Sequence, residues 1–325
     1  MRHRDAMTAP PGSPGLPGRL VLAPHLGAVA TGPRTRRIGS GARGRVLDDL
    51  SPAAVAALDR LADGPCATGD LLAGAPPGPH RSALAGLLGV LWRAGLLADP
   101  DAADRVRRHR GTTLVEVRGD SATAVAVVAG LAATGIGQVH PRVTGPVGPD
   151  DAAAGLPRAD LGRARDEALH DLLRTAGVRT GPPGRVPPDL VVLAGAPEPG
   201  PDGAVEHLVV TLRDGHGVVG PLVLPGRGPC LRCAGAAAGV PGPGPRTAEP
   251  HVVAATGALA VGQVLAALDG PLLGGAPPAS WAAELEIDPA TAAITARALH
   301  RQPDCPCGGT TAACEPPAVG WTIMV

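Results

Sequence analysis

The stretch Gly228–Gly235, GPCLRCAG, holds two of the six cysteines of a 325-residue chain. The spacing of Cys230 and Cys233 suits a redox dithiol, half of a metal site, or chance. A redox motif opens a helix directly after a strand. Here CAGAAAGVPGPGPR begins helix-like and is soon interrupted by glycines and prolines. A second close pair, Cys305 and Cys307, lies in HRQPDCPCGG, and a redox reading of the first pair does not explain it. Four thiolates supplied by two tight turns suit tetrahedral zinc, with Zn–S near 2.3 Å. The long intervening chain costs little, because loop closure grows only logarithmically with length. Cys230, Cys233, Cys305 and Cys307 are therefore the candidate metal ligands. Cys314 is a spare ligand or a tail cysteine, and Cys66 reads as a small buried residue.

The rest of the composition narrows the class. There are 47 Gly, 38 Pro, three Trp and no Phe or Tyr. The core must be built from Ala, Val and Leu. Lys+Arg and Asp+Glu are equal at 29 each, so no global field draws the chain to nucleic acid or membrane. No apolar run reaches the roughly 18 residues of a membrane span. The first residues, MRHRDAMTAPPGSPGLPGRL, lack the apolar segment of a signal peptide. A cytoplasmic location is expected, where a Cys-x-x-Cys is more often metal-binding or catalytic than a structural disulfide.

Two domains are expected from the length. Residues 1–18 read as a disordered arm. Residues 19–98 read as a small winged-helix-like α+β domain, with any small helical bundle as the alternative. Short strands come first. SPAAVAALDRLADG then offers Ser51 as N-cap, Pro52 at the first helical position, and Val55, Leu58 and Leu61 at helical spacing. TGDLLAGA is a second helix. The third, PHRSALAGLLGVLWRAGLLADP, carries Leu84, Leu87, Leu88, Leu91 and Trp92 on one face. It holds only Arg81 and Arg93, so no DNA-reading face is evident, and peptide binding along a strand edge fits at least as well. Residues 99–111 read as a charged, helix-compatible linker, and 311–325 as a tail.

From Thr112 strands and helices alternate, which predicts a mainly parallel, doubly wound (Rossmann-like) sheet over 112–310. ADLGRARDEALHDLLRTAG reads as one helix with Leu161, Ala164, Ala168 and Leu172 inward. Pro141 is awkward inside its strand. The turn after the first strand is where such a sheet cradles phosphates with a Gly-rich loop. This chain reads VRGDSATAVA there. Gly119 is present, but Asp120 puts negative charge where a phosphate would sit, and Ser121, Ala122 and Ala124 add Cβ atoms. The second strand ends in Val143 and Thr144 with no ribose-binding acid.

With these pieces in order, residues 112–310 resemble the ThiF/MoeB/ubiquitin-activating family of adenylating enzymes. The resemblance rests on TGIGQV, ADLGRARDEAL, PDLVV, LPGRGPCLRC and HRQPDCPCGG. It implies a structural zinc on Cys230, Cys233, Cys305 and Cys307. Active members have a lysine where this chain has Arg165, acids where it has Val143 and Thr144, and a further Asp after the PDLVV strand. Gly119, Asp120, Ser121 and Arg165 are thus a degenerate nucleotide site, ATP is not expected as a cofactor, and no catalytic residue is assigned. The chain more closely resembles the ThiF-like, cyclodehydratase-type proteins of ribosomal-peptide (bacteriocin, azole-peptide) biosynthesis. That implies a non-catalytic partner that binds a precursor leader peptide and presents it to a YcaO-type enzyme, as a homodimer, without membrane or nucleic acid. The alternatives are an active adenylyltransferase acting on a peptide or carrier-protein C-terminus, and a winged-helix DNA-binding regulator.

Overall fold

The computed structural model describes residues 15–40, 44–181, 187–195, 205–237, 247–273, 277–303 and 305. Most of the expected arm, the expected tail, Cys307 and Cys314 lie outside the described residues. The chain divides into two compact units, Met1–Arg105 and Val106–Val325.

The first unit runs β1 (Arg19–Leu22), β2 (Ala28–Gly32), β3 (Thr35–Ile38), β4 (Arg45–Leu47), α1 (Pro52–Asp63), β5 (Cys66–Ala67), α2 (Thr68–Ala73), α3 (Pro79–Arg93) and β6 (Leu97–Ala98). β2, β3 and β4 form an antiparallel meander, and β1 lies between β5 and β6 in a second small sheet. Ser51 accepts a hydrogen bond from the Ala54 N–H at 3.2 Å and Pro52 opens α1, so the local signals that start a helix are all used. Leu58 and Leu61 of α1 and Leu84, Leu88 and Leu91 of α3 fill the core with Leu20 and Ile38, replacing the missing aromatics by interdigitated leucines. Arg36, buried in β3, grips Asp59 of α1 through two bonds of 2.6 and 2.7 Å. The charged stretch expected as a linker is a helix, α4 (Ala102–Thr112), with no buried residue. The division between the units falls within it.

The second unit contains β7 (Leu114–Gly119), α5 (Ala122–Ala132), β8 (Gln138–Val143), α6 (Pro149–Ala153), a 3-10 turn (Arg158–Asp160), α7 (Arg165–Thr175), β9 (Leu190–Ala194), β10 (His207–Arg213), β11 (His216–Val223), α8 (Leu231–Ala237), α9 (Pro250–Leu273), β12 (Ala283–Ile287) and β13 (Ile294–Ala298). The seven strands are ordered β13-β12-β11-β10-β9-β7-β8. β8, β7, β9 and β10 are parallel neighbours, and β11, β12 and β13 are added antiparallel. The result is a mixed α/β fold. Asp214 and Gly215, with φ of 51° and 83°, make the tight turn between β10 and β11. Pro141 sits in β8 at the sheet's end. Val139 N–H turns outward to the Arg179 carbonyl, so Pro141, two residues on, faces the same edge, where a missing donor costs least.

α5, α7 and α9 pack on the face that carries Val115, Val117, Val139 and Val192. Gly257 of α9 abuts Ala126 so closely that a Cβ would come within 2.5 Å of it; two small residues let the helices touch. The second helical layer of a doubly wound sheet is not formed by these helices. Contrary to the expectation that no apolar run is that long, α9 is apolar and long enough to cross a membrane, but Val253, Ala260, Val261 and Val264 are buried in this core.

One helix differs from its expectation. Gly162 takes a φ of 84°, which ends the 3-10 turn, and α7 begins only at Arg165. Leu161 is consequently 47 % exposed, while Ala168, Leu169 and Leu173 face the core. The late start of α7 places Arg165 in its first turn, beside the ends of β7 and β8.

Candidate functional site

In an open parallel sheet, ligands enter at the carboxyl ends of the strands. Here that position is made by Gly119 of β7, Thr144 after β8 and Gly195 after β9. Gly119 is required by contact: a Cβ would lie 1.9 Å from the Ala194 carbonyl oxygen. Ser121 precedes α5, but its hydroxyl lies 2.7 Å from the Thr123 hydroxyl and makes no bond to the helix N–H groups. Gly195 has a φ of 112°, and a Cβ on it would come within 2.6 Å of Asp120 Oδ1. The Asp120 carboxylate therefore leans across the gap between the ends of β7 and β9.

Arg165 closes the other side. Its Nη1 donates to the Asp120 carbonyl at 2.7 Å and to the Thr144 carbonyl at 3.2 Å. Its Nε donates to Asp151 Oδ2 at 2.9 Å. Asp151 is fully buried, accepts the Gly148 N–H at 2.6 Å, and its Oδ1 has no partner. Gly119, Asp120, Ser121 and Arg165 are thus brought together, but the one cation is committed to structure and the free charge is negative. A triphosphate would meet the Asp120 carboxylate without a Gly-rich cradle, so these residues do not fit ATP. Asp151 escaped sequence reading; its signal is an acid three residues after Gly148, the spacing of a helix-capping box.

The cysteines form a second centre. Cys230 immediately precedes α8, and Cys233 lies buried within it. Cys230 Sγ is 3.8 Å from Cys233 Sγ and 3.5 Å from Cys305 Sγ, and all three sulfurs lie within 4.8 Å of one another. Thiolates 2.3 Å from one tetrahedral ion stand about 3.8 Å apart, so the three can hold a metal ion. The Gln302 N–H points at Cys233 Sγ from 3.4 Å, the type of outer contact that orients a ligating thiolate. A two-thiol redox motif does not call for the Cys305 sulfur.

The sheet face opposite α5 carries buried ionisable groups. Glu116 is 2 % exposed and pairs with Arg118, with Arg142 at 3.5 Å. Burial pushes the imidazoles of His140 and His207 below their ordinary value; the facing Glu116 carboxylate opposes this at His140, and the Val205 carbonyl does so at His207.

The described residues define a mixed α/β domain in which three cysteines come together. In fold the chain is similar to the microcin C7 biosynthetic enzyme MccB in complex with N-formylated MccA, at 16% identity and a TM-score of 0.68, over 89% of this chain and 100% of that one. It is similar to E. coli MccB with ATP at 15% identity and TM-score 0.67, over 89% and 100% of the two chains. PaaA is more distant, at 13% identity and TM-score 0.52, over 86% and 99%. No protein-family model matches the chain, and no curated protein matches it in sequence. At these identities the likeness is one of fold.

Proposed function

We propose that this protein is a non-catalytic, ThiF-like partner in ribosomal-peptide (bacteriocin-type) biosynthesis. It binds the leader of a precursor peptide and presents it to a YcaO-type modifying enzyme in the cytoplasm. Holding both raises the effective concentration of the peptide at the partner's active site. The observation that carries the reading is the Arg165–Asp120 arrangement: a fold similar to that of an ATP-binding enzyme, with the phosphate position facing a carboxylate and the cation tied to backbone carbonyls. The similarity to MccB solved with MccA supports peptide binding.

In this reading residues 19–98 are a winged-helix-like recognition domain offering a strand edge to the leader, and residues 112–310 dock the partner. Cys230, Cys233, Cys305 and Cys307 hold a structural zinc, which clips the segment after β13 to the loop before α8. The protein acts as a homodimer. The test is calorimetry of the full chain with its cognate precursor peptide, then co-elution with the YcaO-type enzyme. Micromolar binding and a stable complex are expected. A fragment starting at residue 101 that still binds the peptide would overturn the assignment of recognition to the first domain.

A second reading, adenylation of a peptide or carrier-protein C-terminus, draws on the fold shared with MccB bound to ATP. It requires Arg165 to leave Asp151 and Asp120 to leave the strand ends.

A further inference from the structure

We propose that the cavity beside the start of β8 is a binding site for a small anion bearing a phosphate or carboxylate group. The cavity measures about 490 Å³ and is lined by Gln138, His170, Arg174, Val178, Arg179 and Thr180. It opens at the opposite end of β8 from the Thr144–Arg165 contact, so it is separate from the degenerate nucleotide turn.

Three basic side chains line it, with no lining carboxylate among the described residues. His170 and Arg174 are one turn apart on α7 and share a face. His170 Nδ1 lies 2.7 Å from the Asp166 carbonyl, which can only accept, so Nδ1 carries hydrogen; Nε2 donates to an anion when the ring is doubly protonated. Arg179 is fixed by its Nε on the Gly137 carbonyl at 3.2 Å, with Nη2 3.5 Å from the Gly111 carbonyl. Arg174 is held through one nitrogen by Asp171 at 2.7 Å. Each guanidinium keeps further N–H groups, and such forks suit carboxylate and phosphate oxygens. Gln138 and Thr180 add neutral hydrogen-bonding groups, and Val178 an apolar wall.

The opposing charges are accounted for. Asp166 lies 3.5 Å from His170, and Asp171 is shared between Arg174 and Arg163. The end of α7 would repel an anion through bare carbonyls. Those of Leu172, Leu173 and Arg174 already accept the N–H groups of Ala176, Val178 and Gly177.

The test titrates the full chain separately with inorganic phosphate and with citrate, following backbone amide shifts. Saturable shifts at Gln138, Arg179 and Thr180 are expected, and the anion that produces them names the ligand source. Arg174→Ala, an exposed position that cannot upset the core, and Arg179→Gln should each weaken binding about tenfold, the loss of one charge-assisted contact. Shifts confined to Gly119–Ser121, shifts matched by equal chloride, or unchanged affinity in both variants would overturn the proposal.

Discussion

Arg165 Nη1 donates to the Asp120 carbonyl at 2.7 Å while its Nε holds the buried Asp151 at 2.9 Å, so one guanidinium ties the first turn of the sheet to the helix α6. Removing it strands a buried carboxylate, which costs about 3–5 kcal/mol. Arg165→Met should therefore lower unfolding stability by that order in urea titration. Adding Asp151→Asn should restore part of the loss. A single variant as stable as the parent would show that the clamp carries no structural load.

Gly119→Ala should be as harmful without touching any charge. Its methyl group meets the Ala194 backbone oxygen, which cannot swing away as a side chain would. A cost of about 3 kcal/mol is expected from overpacking against a rigid strand. A thermal melt indistinguishable from the parent would contradict the close approach of β7 and the end of β9.

The cysteine centre predicts about one zinc per chain, with chelation lowering the melting temperature of the second unit. Cys230→Ser combined with Cys305→Ser should abolish retention, because the two sulfurs lie 3.5 Å apart and would share one ion. Metal analysis that finds none in the parent, or undiminished zinc in the double variant, would remove zinc from the account.

Stability should fall on acidification below about pH 6.5. The His207 pKa is depressed in the folded state from 6.5, chiefly by burial, whereas the unfolded chain keeps the ordinary value. Below 6.5 the unfolded state therefore binds the proton more tightly, and the folded state loses ground until its own lower pKa is reached. Above 6.5 the contribution is constant. His207→Gln should flatten the slope of denaturation midpoint against pH; an unchanged slope would mean that His207 is freely hydrated.

Much of the architecture was legible because local chemistry and global fold agree. Ser51–Pro52, Asp214–Gly215 and the apolar run of β9 each specify their own geometry. The ADLGRARDEAL segment misled because its apolar spacing is helical, while Gly162 at positive φ stops the helix where no periodicity can register it. Of the four candidate ligands, Cys230, Cys233 and Cys305 do come together, while Cys307 lies outside the described residues. Asp151 was not legible, because its role depends on Arg165 reaching it from fourteen positions away. The cationic cavity was hidden for the same reason: Gln138, His170 and Arg179 meet only once β8 and α7 are placed.

The central claim is that the site formed by Gly119, Asp120, Ser121 and Arg165 does not activate a carboxylate. The direct measurement is pyrophosphate exchange into ATP by the full chain, with magnesium and saturating precursor peptide. The account predicts no exchange above background while the peptide remains bound. Peptide-dependent exchange would show an adenylating enzyme and contradict it.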